Sequence, residues 1–317
     1  MAELRIGIVG AGWIAGTHAT TLERLDGARV VANADVVPGR ADYVDWRSML
    51  KVERLDALVV CTPPDVHRDV TIAAAQAGLA VYLEKPVAHT MDDASAIAAA
   101  VAKSGVVCAV GYQYRAISFL DDLPHDAALL LGTGISDTAD RAWLGDRARG
   151  GGMMLERASH IIDLERAVAG EVAGATALEE GDGLAVSLRF AGGAVGSVVV
   201  GRVAGGPGWR LDLVVPDAGT VAVELDPAFR ARGAGLDLVH TGPPPVERSL
   251  ARFVEAAARR DPSAVYCRVD DAIRTLAVAL AAQDAALAAQ SAMDALDAAG
   301  PPGARQDRRK ARLRGPA

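Results

Sequence analysis

Three residues of this chain have the side chains and the spacing for proton transfer. Lys85, in the run Glu84-Lys85-Pro86, follows a short apolar stretch that is typical of a buried strand. Glu156 and His160 are four residues apart in a segment with a helical pattern, so they would share one helical face. A lysine and a histidine that converge on one cavity can exchange protons with a bound substrate. Taken singly, each is more often a solvated side chain, so this interpretation depends on the rest of the chain.

A glycine-rich turn near the N-terminus predicts a dinucleotide site. The run Gly10-Ala11-Gly12-Trp13-Ile14-Ala15 lies between an apolar strand and a helix and fits the pattern G-x-G-x-x-A. Gly10 permits the tight turn, Gly12 lets the backbone approach a pyrophosphate, and the helix N-terminus faces the anion. We therefore expect Gly10, Gly12, Trp13 and Ile14 to bind the cofactor. The motif alone is a weak signal, and its place at the start of a βαβ unit strengthens it.

Asp35 and Arg40 bear on which dinucleotide binds. Asp35 ends the second predicted strand, where an acid can bind both ribose hydroxyls of NAD and repel the 2′-phosphate of NADP. Arg40, five residues later, could instead pair with that phosphate. We predict NAD, with NADP as the alternative. Asp35 could also be a simple turn former before Pro38-Gly39.

Two further segments follow predicted strands and should border the cofactor. Carboxyl ends of parallel strands line the ligand crevice of such sheets. Thr62, Pro63 and His67 follow the third strand, and Glu84 and Lys85 follow the fourth. Their alternatives are ordinary ones: His67 could be a solvated residue of a first helical turn, and the neighbouring Asp65 could be a helix N-cap.

The first 111 residues alternate between strand and helix patterns. Strands are predicted over 4–9, 29–34, 57–61, 80–83 and 106–111, and helices over 13–25, 44–51, 65–77 and 91–103. Buried β-branched runs separated by amphipathic helices indicate a parallel sheet that is covered on both faces. This pattern predicts an α/β, Rossmann-type domain over residues 1–111.

The pattern then changes to strands in succession. A helix over 153–167 precedes strands over 184–190, 194–203, 209–215 and 219–225, and helices over 246–260 and 269–290 close the chain. Turn residues between neighbouring strands favour hairpins, so the second domain is predicted as α+β with an antiparallel sheet. We place it at residues 112–290 and assign it the substrate site and the oligomer contacts. Residues 291–317 are predicted to be a disordered tail.

Composition excludes several classes of function. The 317 residues suit two domains, and the net charge of −7 argues against a nucleic-acid partner. We expect no apolar run to approach the roughly 18 residues of a membrane span, and we expect no signal peptide before the first strand. Cys61, Cys108 and Cys267 lack metal-ligand spacing, so we expect reduced thiols in the cytoplasm and no metal site.

Five motifs occur in order along the chain: Gly10-Ala11-Gly12, Cys61 to His67, Glu84-Lys85-Pro86, Gly111 to Arg115, and Gly150 to Asp163. Together they resemble one protein family, the Gfo/Idh/MocA oxidoreductases. The resemblance covers residues 3 to 290 and implies a Rossmann domain followed by a domain with a large, open, mainly antiparallel sheet. It further implies NAD(P)-dependent oxidation or reduction of a hydroxyl or ketone on a sugar, cyclitol or similar small molecule.

The resemblance also implies roles for single residues. Lys85 matches the family lysine that contacts both cofactor and substrate, and His160 matches the proton-transferring histidine. Glu156 stands where most members have an aspartate, and Pro86 matches a proline that commonly follows a cis peptide. The expected substrate contacts are Lys85, Tyr112, Arg115, Glu156, His160 and Asp163.

Other interpretations of the same fold remain open at this stage. Some relatives of this kind are glycosidases that oxidise their substrate only transiently, and others are non-catalytic NAD(P)-binding regulators. The presence of both Lys85 and His160 favours a dehydrogenase over a regulator. A homodimer or homotetramer is expected through the outer face of the second-domain sheet, whose strands have apolar residues on both sides.

Overall fold

Two β-sheets organise the protein, and helices pack against both. The computed structural model describes residues 3–135, 147–203 and 208–299. The predicted tail over 291–317 lies mostly outside these residues. The first sheet has five strands in the order β2-β1-β3-β4-β5 and the second has eight.

The five-stranded sheet is parallel throughout, which confirms the predicted Rossmann-type arrangement. All four residues of β3 and of β4 are buried, because helices cover both faces of the sheet. Its strands are β1 (Leu4–Val9), β2 (Ala28–Ala34), β3 (Ala57–Val60), β4 (Ala80–Leu83) and β5 (Cys108–Val110). Its helices are α1 (Trp13–Leu22), α2 (Trp46–Val52), α3 (Pro64–Gln76) and α4 (Met91–Ser104).

The eight-stranded sheet is open and mainly antiparallel, as expected from the sequence. Only the central pair β6 and β9 is parallel. The strand order is β13-β12-β11-β10-β6-β9-β8-β7. The strands are β6 (Leu129–Ile135), β7 (Val172–Glu180), β8 (Gly183–Phe190), β9 (Val195–Gly201), β10 (Gly208–Val215), β11 (Gly219–Asp226), β12 (Arg230–Gly233) and β13 (Leu236–Val239).

Four of these strands were not predicted. β6 reads Leu-Leu-Leu-Gly-Thr-Gly-Ile, whose glycines and unbroken apolar run hide the two-residue period. β7 is rich in alanine, glycine and glutamate, which have low β propensity. The remaining two, β12 and β13, are only four residues long. β6 forms by pairing with β9 and β10, which are distant in sequence, whereas β7, β12 and β13 form hairpins with strands next to them in the chain. The weak β propensity, the hidden period and the short lengths explain why local composition did not reveal these strands.

The helix predicted over 153–167 has two parts. A π-helical turn over Met154–Ala158 leads into α5 (Ser159–Ala169). A π-turn bonds each residue to the one five positions on, so it rotates the faces of the helix relative to a regular α-helix. Glu156 therefore lies in the π-turn and His160 in the helix that follows it, and their sharing of one face stays a prediction.

The last two helices connect the two halves of the chain. Helix α6 (Pro245–Arg259) packs its Leu250 and Phe253 into the same core cluster as Ile6 and Tyr82 of the five-stranded sheet. One hydrophobic core cluster thus includes residues from both sides of the predicted boundary at residue 111. The division into domains at 1–111 and 112–290 stays a prediction.

Helix α7 (Val269–Ala299) is nine residues longer than predicted. Its stretch Val269–Ala292 has mean hydropathy 1.3 in its most apolar window, so by length and composition it passes for a membrane span. The expectation that no run is long enough is wrong in that respect. Leu276, Ala279 and Ala282 of this helix are fully buried in the core, although only 28 % of its most apolar window is buried.

Candidate active site

The glycine turn after β1 forms the floor of a groove of about 360 Å³. Gly10 has φ +94°, and a Cβ there would come within 2.7 Å of the Cys61 carbonyl oxygen. A Cβ at Gly12 would meet nothing within 4 Å, because that position opens into the groove. Gly10 thus has the backbone conformation of the tight turn expected there, and Gly12 leaves the groove open. That the Gly12 backbone approaches a pyrophosphate stays a prediction.

Eight of the predicted cofactor residues come together along this groove. Asp35 and Arg40 lie at the end that follows β2, and Trp13 is 69 % exposed at the start of α1. The open position at Gly12 and the free helix N-terminus fit a dinucleotide pyrophosphate. Arg149, which the sequence did not suggest, also lines the groove. The eight are Gly10, Gly12, Trp13, Ile14, Asp35, Arg40, Thr62 and Pro63.

The Asp35 carboxylate is held in place by the main chain. One oxygen accepts a hydrogen bond from the Ala11 N–H at 2.8 Å, and the other accepts one from the Val37 N–H at 2.9 Å. The second bond is the turn-forming role considered for this residue. The first ties the end of β2 to the glycine turn and keeps the carboxylate beside the groove.

His67 and Glu84 lie behind the groove. The His67 ring is fully buried, with Nδ1 2.9 Å from the Pro86 oxygen and Nε2 2.9 Å from the Thr62 oxygen. Burial lowers the pKa of this imidazole, although those two carbonyls oppose the shift. His67 is therefore a bridge between two loops, and the solvated alternative is wrong. Its contact with cofactor stays a prediction.

Glu84 is paired with His18, a residue that the sequence analysis missed. His18 Nε2 lies 2.7 Å from Glu84 Oε1, and the Lys85 N–H donates to Glu84 Oε2 at 3.1 Å. Burial alone would raise the pKa of the Glu84 carboxyl, but the His18 bond and the Lys85 charge outweigh it and hold the pKa below its usual value. The only signal for His18 was its place one turn after Ala15 on the face of α1 that packs against the sheet.

Lys85 connects the two predicted catalytic segments. The Lys85-Pro86 peptide is cis, as the family resemblance implied. Lys85 Nζ donates to the main-chain oxygen of Glu156 at 2.6 Å. The lysine at the end of β4 therefore reaches the π-turn that carries Glu156, 71 residues along the chain.

His160 is enclosed by aromatic rings and is only 9 % exposed. Its centroid lies 6.1 Å from that of Tyr112 and 5.7 Å from those of Tyr114 and Trp209. Burial, then the positive charges of Lys85 and Arg157, lower the pKa of His160 well below its ordinary value. The imidazole is therefore neutral near pH 7 and can accept a proton.

Glu156 has an arginine for its neighbour. Its carboxylate lies 3.3 Å from Arg157 Nε, and this arginine is 2 % exposed. The Arg157 Nη1 also faces the main-chain oxygens of Gly201 and Gly134, at 3.3 and 3.5 Å. Arg157 has thus turned inward, and its charge balances that of Glu156 beside the histidine.

Asp163 and Arg115 bind each other beneath this site. Arg115 donates to both Asp163 oxygens, at 2.7 and 2.9 Å, and the Thr275 hydroxyl donates to one of them at 2.8 Å. Asp163 is 1 % exposed. This clamp joins the 3₁₀ turn Gln113–Ala116, α5 and α7, so it supports Tyr112 and Tyr114 around His160. Direct substrate contact by Asp163, Arg115 or Tyr112 stays a prediction.

Several residues at this site had no sequence signal. In the sequence, Tyr114 is notable only as part of the motif Gly111 to Arg115, and Trp209 only as the start of a predicted strand. Thr275 lies in a helix whose composition gives no hint of a polar contact. What unites them is that each meets the site only through tertiary packing.

Among the described residues, no cluster of three or more histidine, cysteine, aspartate or glutamate side chains could hold a metal ion.

Solved structures share this fold over nearly the whole chain. Levoglucosan dehydrogenase in complex with NADH and levoglucosan matches with a TM-score of 0.79, covering 90 % of this chain and 97 % of that one at 21 % identity. UDP-N-acetylglucosamine 3-dehydrogenase GnnA from Acidithiobacillus ferrooxidans matches with a TM-score of 0.77, covering 90 % and 98 % at 21 % identity. At these identities the likeness concerns the fold.

Sequence relatives are matched over shorter spans. The levoglucosan dehydrogenase of Pseudarthrobacter phenanthrenivorans is 26 % identical over 272 residues, covering 65 % of this chain and 69 % of that protein. The scyllo-inositol 2-dehydrogenase (NAD(+)) of Bacillus subtilis is 30 % identical over 125 residues, which are 36 % of either chain. The chain thus spans about a third of the length of that relative.

Two family models cover the residues described above. Residues 4–112, with the eight predicted cofactor residues of the groove and Lys85, match the oxidoreductase family with an NAD-binding Rossmann fold. Residues 122–220, with Glu156, His160 and Trp209, match the GFO/IDH/MocA C-terminal domain. The chain therefore belongs to the Gfo/Idh/MocA family of oxidoreductases.

Proposed function

We propose that the protein is an NAD-dependent dehydrogenase that oxidises a secondary hydroxyl of a sugar, cyclitol or similar polyol. The observation that carries the proposal is the contact of Lys85 Nζ with the Glu156 main chain, which brings a cation beside a buried, neutral histidine. Lys85 follows β4, which pairs with β3, and the loop after β3 lines the groove in which we place the dinucleotide. The relatives named as inositol and levoglucosan dehydrogenases support the substrate class.

Each residue has a defined part in the reaction. NAD, when bound, supplies the acceptor for the hydride that leaves the substrate carbon. His160 takes the hydroxyl proton, since a neutral imidazole in a mostly dry site is a suitable base. The Lys85 ammonium donates a hydrogen bond to the same oxygen and stabilises the negative charge that develops there. Glu156 and Arg157 balance each other beside the base, so the pocket keeps the positive charge of Lys85.

The choice of NAD over NADP rests on Asp35. Its carboxylate stands beside the groove, where the adenosine ribose of a dinucleotide lies, and would repel a 2′-phosphate. Arg40 lines the same groove and is the residue that would accept that phosphate. Calorimetry with both cofactors tests the choice: binding of NADP more than tenfold tighter than NAD would contradict it.

The activity is tested by following NADH formation with a panel of inositols, levoglucosan and simple sugars. A dehydrogenase accumulates NADH in proportion to substrate consumed. A glycosidase of this fold would release sugar with no net NADH, and a regulator would bind NAD without turnover, so either result would replace the proposal. Lys103→Met is the matched control for Lys85→Met, since Lys103 is exposed in the last turn of α4.

We also propose a cytoplasmic homodimer or homotetramer formed through the outer face of the eight-stranded sheet. Four large apolar side chains in the centre of that face are between 39 % and 48 % exposed, and Leu129 lies directly opposite Val195 across β6 and β9. An apolar surface of this kind on a sheet calls for a partner. The four are Leu129, Leu131, Val195 and Val199. Cys61, Cys108 and Cys267 are free thiols, and reduced cysteines are usual in cytoplasmic proteins, which supports the proposed cytoplasmic location.

Light scattering tests the assembly. The wild type is expected at two or four times the 32.7 kDa of the chain, and Leu131→Glu with Val199→Glu is expected to give a monomer. Thr220→Glu, an exposed residue of β11 outside the four-residue patch, is the control. A wild-type monomer at micromolar concentration would remove the idea.

A further inference from the structure

Trp209 is the residue of the eight-stranded sheet whose ring lies against His160. It stands near the start of β10, and its ring meets the His160 ring edge to face at 5.7 Å and 86°. It also lies 6.1 Å from the Tyr114 ring, at 57°. Trp209 is only partly buried, whereas Tyr114 and His160 are almost fully buried. The indole is therefore the ring of this group with the most surface left for a ligand.

The neighbouring strand is shaped to hold this indole. Trp209 pairs with Gly134 across β10 and β6. A Cβ added at Gly134 would lie 2.8 Å from Cζ3 and 3.0 Å from Cε3 of the indole, closer than side-chain atoms pack. The absence of a side chain at Gly134 thus gives the six-membered ring its place. A tryptophan that only happened to be near the histidine would not need such a space in the facing strand.

The enclosure accounts for the electrostatic state of His160. The charged groups near the imidazole are Lys85 and Arg157, which are cations, and Glu156, which Arg157 balances. The remaining neighbours are the rings of Tyr112, Tyr114 and Trp209. His160 Nδ1 is buried and has no hydrogen-bond partner among the described residues. Rings that exclude water and add no negative charge keep the imidazole uncharged.

We propose that Trp209 is a positioning residue that shields His160 from water and forms the wall of the substrate pocket that contacts the C–H face of the polyol. The proposal deepens the function given above and rests on it for the identity of the substrate. Sugar and cyclitol rings present axial C–H groups on one side, and the flat indole offers an apolar surface of matching size. The hydroxyl groups at the edge of the polyol ring would then face Lys85 and His160.

The first test measures the state of His160 without any substrate. The ring signals of His160 are followed by NMR from pH 4 to 9, assigned by comparison with His160→Asn. In Trp209→Leu, water reaches the imidazole, so its pKa is expected to rise toward the ordinary value, while Trp209→Phe keeps it near the wild-type value. Tyr266→Leu, which removes a partly buried aromatic ring that faces Arg248, is the matched control. An unchanged His160 titration in Trp209→Leu would overturn the shielding.

The second test is kinetic. A base must be neutral, so a raised His160 pKa moves the acid limb of kcat/KM to higher pH in Trp209→Leu. KM for the polyol is expected to rise about three- to tenfold, the size of one aromatic contact, with NAD affinity unchanged. Trp209→Phe is expected to keep both the acid limb of kcat/KM and KM for the polyol near their wild-type values. If the pKa of His160 rises in Trp209→Leu but KM for the polyol stays at the wild-type value, Trp209 does not form a wall of the substrate pocket.

Gly134→Ala provides an independent route if Trp209→Leu folds poorly. The added methyl displaces the indole without removing it, so the same two readouts are expected to move. In the double variant Gly134→Ala with Trp209→Phe, the smaller phenyl ring leaves space for the added methyl group. The combined effects on the His160 pKa and on KM should therefore be less than the sum of the single effects. Strict additivity would overturn the role of the Gly134 space. A wild-type protein with a shielded His160 but no polyol oxidation would overturn the proposed function and leave the shielding supported.

Discussion

The cofactor groove and the pocket around His160 are built in opposite ways. The groove comes from short segments that follow β1, β2 and β3 of one parallel sheet, and each segment carries its own signal. The pocket combines Lys85 after β4, His160 in α5, Tyr114 in a 3₁₀ turn and Trp209 in β10. A groove of the first kind is recognisable from local sequence, whereas the second depends on the packing of two sheets and their helices.

The two regions also differ in how their polar atoms are satisfied. Asp35 in the groove accepts two main-chain hydrogen bonds and stays near solvent. In the pocket, Lys85 has a main-chain partner, and the buried His160 Nδ1 has none among the described residues. A buried polar atom without a partner calls for one from a ligand or a bound water. The Asp35 carboxylate therefore has its partners without a ligand, whereas His160 Nδ1 could accept a hydrogen bond from a ligand or donate one to it.

The largest effect is expected from removing the proton-transfer pair. His160→Ala and Lys85→Met should each reduce kcat by about 10² to 10⁴, because a positioned acid–base group contributes that much. NAD affinity, measured by calorimetry, should stay near the wild-type value, since neither side chain lines the groove. A parallel loss of NAD binding would break the separation of groove and pocket. Wild-type kcat in His160→Ala would contradict the proton-transfer role.

The clamp beneath the pocket should come next. Asp163→Ala leaves the mostly buried Arg115 with only the more distant Asp271, 3.8 Å away, as an acidic partner. Breaking a buried pair costs about 3–5 kcal/mol of unfolding free energy, and we expect a loss near the lower end of that range. Asp270→Ala removes the partner of Arg268 in an exposed pair, which contributes about 0–1 kcal/mol. Urea denaturation of both variants measures the difference. Equal midpoints would show that the clamp contributes no more than a surface pair.

Asp35→Ser tests the groove alone. Loss of a charged hydrogen-bond acceptor at the ribose should weaken NAD binding about ten- to hundredfold and raise the relative affinity for NADP. Asp26→Ser, at an exposed position before β2, is the control. Since the pocket around His160 is separate, kcat at saturating NAD should remain within about twofold of the wild type. Unchanged NAD affinity would mean that Asp35 serves only the turn.

The smallest effect concerns Glu165, a fully buried carboxyl on α5 that packs against Gly132 and Gly196 of the sheet. Burial raises the pKa of Glu165 well above its usual value, and a contact with the Gly132 main chain opposes this only partly. The unfolded chain releases this proton at lower pH than the folded one, so stability falls as pH rises from the ordinary carboxyl pKa through the folded pKa. Glu165→Met should therefore stabilise the protein by about 1 kcal/mol at pH 8 and by less at pH 5, measured by thermal unfolding. Equal gains at both pH values would indicate a packing effect.

The sequence predicted more of the groove than of the pocket, for a physical reason. The Gly10–Ala15 turn and Asp35 act through backbone conformation and strand ends, which neighbouring residues largely fix. The spacing of Lys85, Glu156 and His160 suggested a proton-transfer site, and the family resemblance gave each of them a role. It could not show that Asp163 and Arg115 bind each other, or that Glu156 lies in a π-turn beside an inward-turned Arg157.

The sequence by itself determined the order of strands and helices in the first half, the glycine turn, the acid after β2 and the segments that carry the lysine and the histidine. Only the tertiary structure decided the partners of those residues: the pairing of β6 with β9, the indole seated at Gly134 and the rings around His160. Turn geometry and amphipathic periods are set within a few residues. Burial, and with it the charge state of His160, is set by side chains that are brought together from β4, α5 and β10.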